Sequence, residues 1–373
     1  MSFLSHIPSW IAWVVPGFLL MITPIVFFHE LGHFLAARLC GVRVETFSIG
    51  FGREIFGWMD RHGTRWKISA LPLGGYVRFL GDADALGTPD PEALAKLDDK
   101  ERARSFLGKP VYQRALIAAS GPLANFLLAI VIFSALFMTA GRFVIPPRVD
   151  RVLPNSAAAA AGIRPGDMIV AVEGDDVASY EQLQQVLLSD GGRTIAVTLV
   201  RAGHRLTVDA TPRLTDVTDR FGNKYRMGRL GIETKGRATL VRYGPLGAVA
   251  AACDEVASIV RMTFRSRDQL FAGNTSQLSG VIGIAKLSGQ VASESLLDLI
   301  GLAALISVSI GLVNLFPIPP LDGGYLLYYA FEAVLGRPLG ERAQDVGFRI
   351  GLAVVFGLMI LATWNDLVRL NLF

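Results

Sequence analysis

Charge is scarce in this sequence. Acidic and basic residues make up 18% of 373 positions, against about 25% in an ordinary soluble domain, while 51% are hydrophobic; a wholly soluble globule is excluded. No Lys or Arg precedes Arg38 and no small-residue cleavage site follows the first apolar run. That excludes a cleavable signal peptide and predicts that the run stays in the mature protein. The net charge of +4 is spread along the chain with no basic cluster interleaved with aromatics, so no nucleic-acid partner is expected.

What is present is membrane sequence. Four stretches, Ile7 to Phe28, Ala115 to Gly141, Leu299 to Leu321 and Ile350 to Asn365, are nearly free of ionisable side chains, and a membrane crossing needs about 20 apolar residues. The last is short and recruits residues from Val346, with Arg349 snorkelling. The expected transmembrane helices are 7–38, 111–141, 298–321 and 346–367. Arg38, Arg43, Arg53, Arg61, Arg65, Lys67 and Arg78 follow the first helix, so positive-inside reasoning puts the N-terminus outside the cytoplasm and residues 39–110 inside it. Cys40 and Cys253 then fall on opposite sides and cannot pair.

Within 39–110, near alternation at Val42, Val44, Phe47, Ile49 and Phe51, and the run Trp66 to Leu80 with a Gly74-Gly75 break, predict a small membrane-proximal β-sheet. Gly74-Gly75 reads as its bend, and 82–109 as a charged surface linker. Residues 142–237 read as an inserted extracytoplasmic α+β domain: strand at Arg148 to Leu153, short helix at Ala157 to Ala161, turn and strand at Gly166 to Val172, amphipathic helix at Tyr180 to Leu188, and a hairpin of Ile195 to Arg201 with Leu206 to Ala210. Residues 238–297 read as a membrane-associated amphipathic region, because Asp254 and Glu255 interrupt an apolar run. Residues 322–345 form a cytoplasmic helix and loop.

The chemistry sits in HELGH, residues 29–33, at the inner end of the first helix. His29 and His33 are four residues apart, hence on one helical face, and can reach one ion; Glu30 between them can take a proton from water attacking a carbonyl. Ionisable groups inside a spanning segment are costly and read as functional. Catalytic zinc commonly takes three protein ligands. The third segment ends in NLFPIPPLDGG, residues 314–324, where three prolines break the helix at membrane depth and Asp322 follows. Counting rise per residue puts Asp322 and the histidines near the same cytoplasmic boundary, so Asp322 is the candidate third ligand, with capping of the following helix as its alternative role.

HELGH, GPLAN at residues 121–125, the segment AGIRPGDMIVAVEGDDV at 161–177 that resembles a bacterial PDZ domain, and NLFPIPPLDGG together resemble the site-2 protease family, most closely its regulator of sigma-E protease group. The resemblance covers nearly the whole chain. It implies one Zn2+ per chain held by His29, His33 and Asp322, with Glu30 as general base and Asn314 holding unwound substrate or stabilising the oxyanion; on physical grounds Asn314 could equally bond carbonyls freed by the prolines. It implies regulated intramembrane proteolysis of single-span proteins in the bacterial inner membrane: anti-sigma factors pre-cut by an outer protease, and remnant signal peptides. The PDZ-like domain is either a peptide-capturing groove or a folded spacer that filters by size. Gly121 and Asn125 read as helix-packing residues. The fold expected is thus a polytopic α-helical membrane protein of four transmembrane helices with a small β-sheet and an inserted PDZ-like domain. The rival functions are a non-catalytic membrane adaptor with a relic metal site and a zinc-permeation protein. Complete ligands and base argue against the first; the second and fourth segments, poor in polar residues, argue against the other.

Overall fold

The computed structural model describes residues 9–82, 97–177, 179–189, 191–218, 224–234, 238–265 and 280–369. Half of the charged linker expected at 82–109 and part of the amphipathic region expected at 238–297 lie outside the described residues. The chain divides into two compact units, 1–133 with 278–373, and 134–277.

In the first unit, a 3-10 turn at Ser9–Trp13 leads into helix α1, Val14–Leu39. Strands β1, Val44–Met59, and β2, Arg65–Phe79, follow, then the short α2, Asp99–Arg102, and α3, Val111–Thr139. Among the described residues, four helices are long and apolar enough to cross a membrane: Ile11–Leu39, Val111–Thr139, Leu296–Asn314 and Arg342–Val368. Their outward residues include Leu20, Leu127, Val131, Leu305, Ile350 and Ile360, all exposed. A helix apolar on every side has lipid as its natural surroundings.

β1 and β2 are long, bulged antiparallel partners whose arms fold back, so that Ile49 is partnered by both Gly75 and Ile68. β2 runs unbroken through Gly74-Gly75; the bend is at Gly74, whose φ of +127° suits glycine. Phe47 is buried between α1 and the sheet, stacked on Trp66 and edge-on to Phe34. This cluster seats the sheet on the last turns of α1.

Beyond the second unit come α7, Val281–Glu294, α8, Leu296–Asn314, α9, Asp322–Leu335, and α10, Glu341–Arg369. α7 lies against the start of α1, where Met21, Ile25 and Leu299 form a buried cluster with Ile284 and Val291 packed on it. α8 stops at Asn314, and the chain passes through a cis Pro319-Pro320 bond before α9 begins at Asp322.

The second unit starts at the end of α3 and holds a four-stranded antiparallel sheet in the order β6-β5-β7-β8, formed by Asp175–Asp176, Met168–Val172, Ile195–Arg201 and His204–Ala210. Helix α4 is Ala157–Ala160 and α5 is Tyr180–Ser189. Val149, Ile169, Leu183, Val197, Leu199 and Leu230 fill its core. Asp167 is buried and takes both arms of the Arg201 guanidinium, Nε at 2.8 Å and Nη2 at 2.7 Å. Those hydrogen bonds hold its carboxyl below the usual range, against the opposing effect of burial. The strand expected from Arg148 to Leu153 contracts to β4, Arg151–Val152, plus an isolated bridge from Arg148 to Met168. A hairpin of β9, Arg213–Thr218, and β10, Lys224–Arg229, was not anticipated; β11, Ile232–Glu233, pairs with β4. β12, Thr239–Val241, pairs with β3, Arg142–Val144, and α6, Pro245–Arg265, is tied to β3 by an Arg142–Glu255 ion pair at 3.0 Å. The region expected as one amphipathic belt at 238–297 is therefore shared between units, α6 in the second and α7 in the first.

Candidate active site and metal centre

His29, Glu30 and His33 stand in the last three turns of α1, and the one-turn spacing sets the two imidazoles edge to face with centroids 4.9 Å apart. Their Nε2 atoms approach to 3.3 Å. Asp322 enters from the start of α9, its Oδ2 lying 3.3 Å from His29 Nε2 and 3.5 Å from His33 Nε2. Asp322 is not a helix cap: the N-cap position is Leu321, with no side-chain cap bond. Its buried Oδ2 has no hydrogen-bond partner, which for a buried carboxylate oxygen asks for an explanation. A tetrahedral ion with ligand bonds of about 2.0–2.1 Å keeps its ligand atoms about 3.3–3.4 Å apart. The observed triangle has the size of one face of such a tetrahedron, and two imidazoles with a carboxylate suit zinc.

Each imidazole is steadied from α3. His33 Nδ1 lies 2.8 Å from the Ile117 carbonyl, so Nδ1 carries the proton and Nε2 offers its lone pair. His29 Nδ1 lies 3.2 Å from the side-chain amide of Asn125, a fully buried residue whose Oδ1 is otherwise without a partner. Amide oxygen and nitrogen are interchangeable by a flip. Turning Oδ1 toward His29 satisfies it with an Nδ1–H and leaves His29 Nε2 free to bind metal. Asn125 and Gly121, read from sequence as packing residues, are thus at the site: a Cβ on Gly121 would fall on the His33 ring, 2.6 Å from Cε1 and 2.8 Å from Cδ2. Sequence did carry a signal for Asn125, a polar side chain inside a spanning segment.

The cluster opens into a cavity of about 250 Å³ lined by His29, Glu30, His33 and Asp322, by Gly75, Tyr76, Val77 and Phe79 of β2, and by Phe106, Tyr325 and Tyr329 among others. Gly75 presses on Glu30, where an added Cβ would stand 2.8 Å from Glu30 Cγ; it is more than part of a bend. Among the described residues, the arm Gly75 to Phe79 has Val44 to Ile49 as its sole strand neighbour. Asn314 ends α8, half-buried, and is not one of the cavity-lining residues.

Comparison with known proteins identifies the family. The description Peptidase family M50 matches residues 17–358. A relative in Agrobacterium fabrum named as a zinc metalloprotease is 46% identical, with 95% of each chain covered. Metalloprotease MmpA of Caulobacter vibrioides is 37% identical, covering 96% of this chain and 98% of its own. Among solved structures, the PDZ domain of an SdrC-like protein from Listeria monocytogenes is similar to 26% of this chain and 87% of its own at 21% identity, with a TM-score of 0.18, too low to argue from. Matched in this way over nearly its whole length, the chain belongs to Peptidase family M50, the site-2 protease family, and is an integral-membrane zinc metalloprotease.

Proposed function

We propose that the protein hydrolyses peptide bonds within the transmembrane helices of single-span proteins, of the anti-sigma factor type once an outer protease has shortened them, and of remnant signal peptides. It would act in the bacterial inner membrane, with the N-terminus and the inserted unit extracytoplasmic. The convergence of His29 Nε2, His33 Nε2 and Asp322 Oδ2 at 3.3 to 3.5 Å, with Glu30 on the same cavity wall, carries the reading.

His29, His33 and Asp322 hold one zinc ion. Zinc when bound supplies Lewis acidity toward water and a scissile carbonyl. Glu30 accepts the proton of the attacking water and returns it to the leaving nitrogen. A helical substrate hides its amides in its own hydrogen bonds. The strand arm Gly75 to Phe79, lining the cavity, offers backbone groups that compete for them once the helix unwinds. Asn314, where α8 breaks, is the candidate for holding the unwound segment. In the inserted unit, a cleft of about 330 Å³ between α5 and residues 227–234, lined by Leu153, Tyr180, Leu183, Leu187, Leu230 and Ile232, supports the peptide-groove reading over a plain spacer.

The test is Glu30→Gln in the full-length protein with a single-span fusion as substrate. Zinc content stays at one per chain and cleavage is lost; Asn314→Ala keeps zinc and lowers kcat/KM. Full cleavage by Glu30→Gln overturns the mechanism.

A further inference from the structure

Arg114 and Glu332 form a salt bridge outside the ligand cluster. The pair is nearly enclosed, with side-chain exposures of 11% and 14%, and Arg114 Nη2 lies 2.6 Å from Glu332 Oε1. The guanidinium has further work: Nε donates to the Lys109 carbonyl at 3.0 Å, and Cζ stands 5.1 Å over the Tyr329 ring. A buried ion pair is a poor means of raising stability, because desolvation offsets most of the attraction. Its better-attested use is to fix a register, since a charge left without its partner penalises every alternative packing.

The elements it joins identify which register. Arg114 is on α3, three residues before Ile117, whose carbonyl takes the Nδ1 proton of His33, and eleven before Asn125, which faces His29. Glu332 is on α9, ten residues after Asp322. At its N-terminal end α9 is held by the tight approach of Gly323 to the Leu315 and Phe316 carbonyls, where no Cβ fits. Its farther half is tied to α3 through Glu332, and Tyr329, one turn earlier, packs with Phe106 at 6.4 Å beside the cavity. All three candidate ligands are thereby referenced to α3: His33 through Ile117, His29 through Asn125, Asp322 through the ion pair.

We propose that Arg114–Glu332 is a positioning pair that sets Asp322 against the two histidines and so tunes metal affinity without touching metal or substrate. The proposal rests on the reading of His29, His33 and Asp322 as zinc ligands. A ligand shell tolerates misplacement of only about 0.5 Å, and a rotation or slide of α9 moves Asp322 directly.

The experiment uses full-length protein in detergent and the zinc ion alone as probe, with the dissociation constant read by chelator competition, the visible spectrum recorded after cobalt substitution, and the melting temperature measured with chelator present. Glu332→Gln weakens zinc binding about tenfold or more, in the range seen for groups that orient ligands, and alters the cobalt bands. Arg114→Lys gives a smaller loss. The double swap Arg114→Glu with Glu332→Arg binds zinc more tightly than Glu332→Gln. A lower melting temperature in Glu332→Gln with unchanged zinc affinity and cobalt spectrum overturns the proposal, since that is what a merely structural brace would do. If Glu332→Gln does not fold, Glu332→Asp, which keeps the charge and shortens the reach, is read by the same two outcomes. A wild-type chain that binds no zinc overturns the ligand assignment itself, an outcome separate from wild-type binding with insensitive variants.

Discussion

Replacing Gly121 by alanine sets a local gain against a loss at the site. In the interior of a helix, Gly→Ala favours folding by about 1 kcal/mol. At this position the added methyl carbon stands 2.6 Å from Cε1 and 2.8 Å from Cδ2 of His33, where carbon atoms normally rest about 3.5–4.0 Å apart. The ring must therefore withdraw by about 1 Å. His33 cannot do so freely, because Nδ1 is bound to the Ile117 carbonyl at 2.8 Å and Nε2 belongs to a triangle with edges of 3.3 and 3.5 Å. A displacement near 1 Å at a reacting centre costs on the order of 100-fold in rate, and the disturbed ligand lowers zinc affinity by at least the roughly 10- to 100-fold attached to orienting groups. The expected result is a chain that holds little zinc and cleaves a single-span fusion about 100-fold more slowly, with a melting temperature in chelator set by the helix gain of about 1 kcal/mol against an overpacking cost of about 1–3 kcal/mol. Gly357→Ala on α10 is the control, because nothing lies within 4 Å of the added carbon; it should retain zinc and activity. Metal analysis and cleavage measured side by side decide the matter. Wild-type zinc content and rate in Gly121→Ala would refute the reasoning.

Two further predictions complement this one. Asn125→Ala removes the partner of His29 Nδ1 and should weaken zinc binding about 10- to 100-fold, whereas Asn125→Asp, which must accept the Nδ1 proton, should bind at least as tightly as wild type; chelator competition distinguishes them, and equal weakening in both would contradict the amide orientation assigned. In the inserted unit, Asp167 has a folded-state pKa below its unfolded value of about 4, so the stability it contributes is present above that value and fades as pH falls through and below it; the hydrogen-exchange protection of Ile195–Arg201, taken relative to intrinsic exchange at each pH, should fall at acid pH in wild type and depend less on pH in Asp167→Asn.

How much of this could be read from the sequence follows from how local each feature is. His29 and His33 share a helical face by spacing alone, and the three prolines before Asp322 announce a helix that must stop. Both belong to single elements. By contrast Gly121, Asn125 and Arg114 act through the face that α3 presents to α1 and α9. α3 is apolar on nearly all sides, so its hydrophobic pattern does not say which side meets a neighbour. Gly75 was legible as a bend because glycine invites one; its contact with Glu30 depends on how the sheet is seated by Phe47 and Trp66 on α1. The unanticipated hairpin at Arg213–Thr218 and Lys224–Arg229 contains few apolar residues, so alternation had little to register.

The distance in sequence between His33 and Asp322 has a consequence for the life of the chain. They are 289 residues apart, so at a synthesis rate of about 5–20 residues per second the last ligand is polymerised roughly 15–60 s after the histidines. During that interval the first helix already carries HELGH but lacks the carboxylate that completes the triangle. On the proposed ligand set, the metal site is completed only when most of the chain has been made.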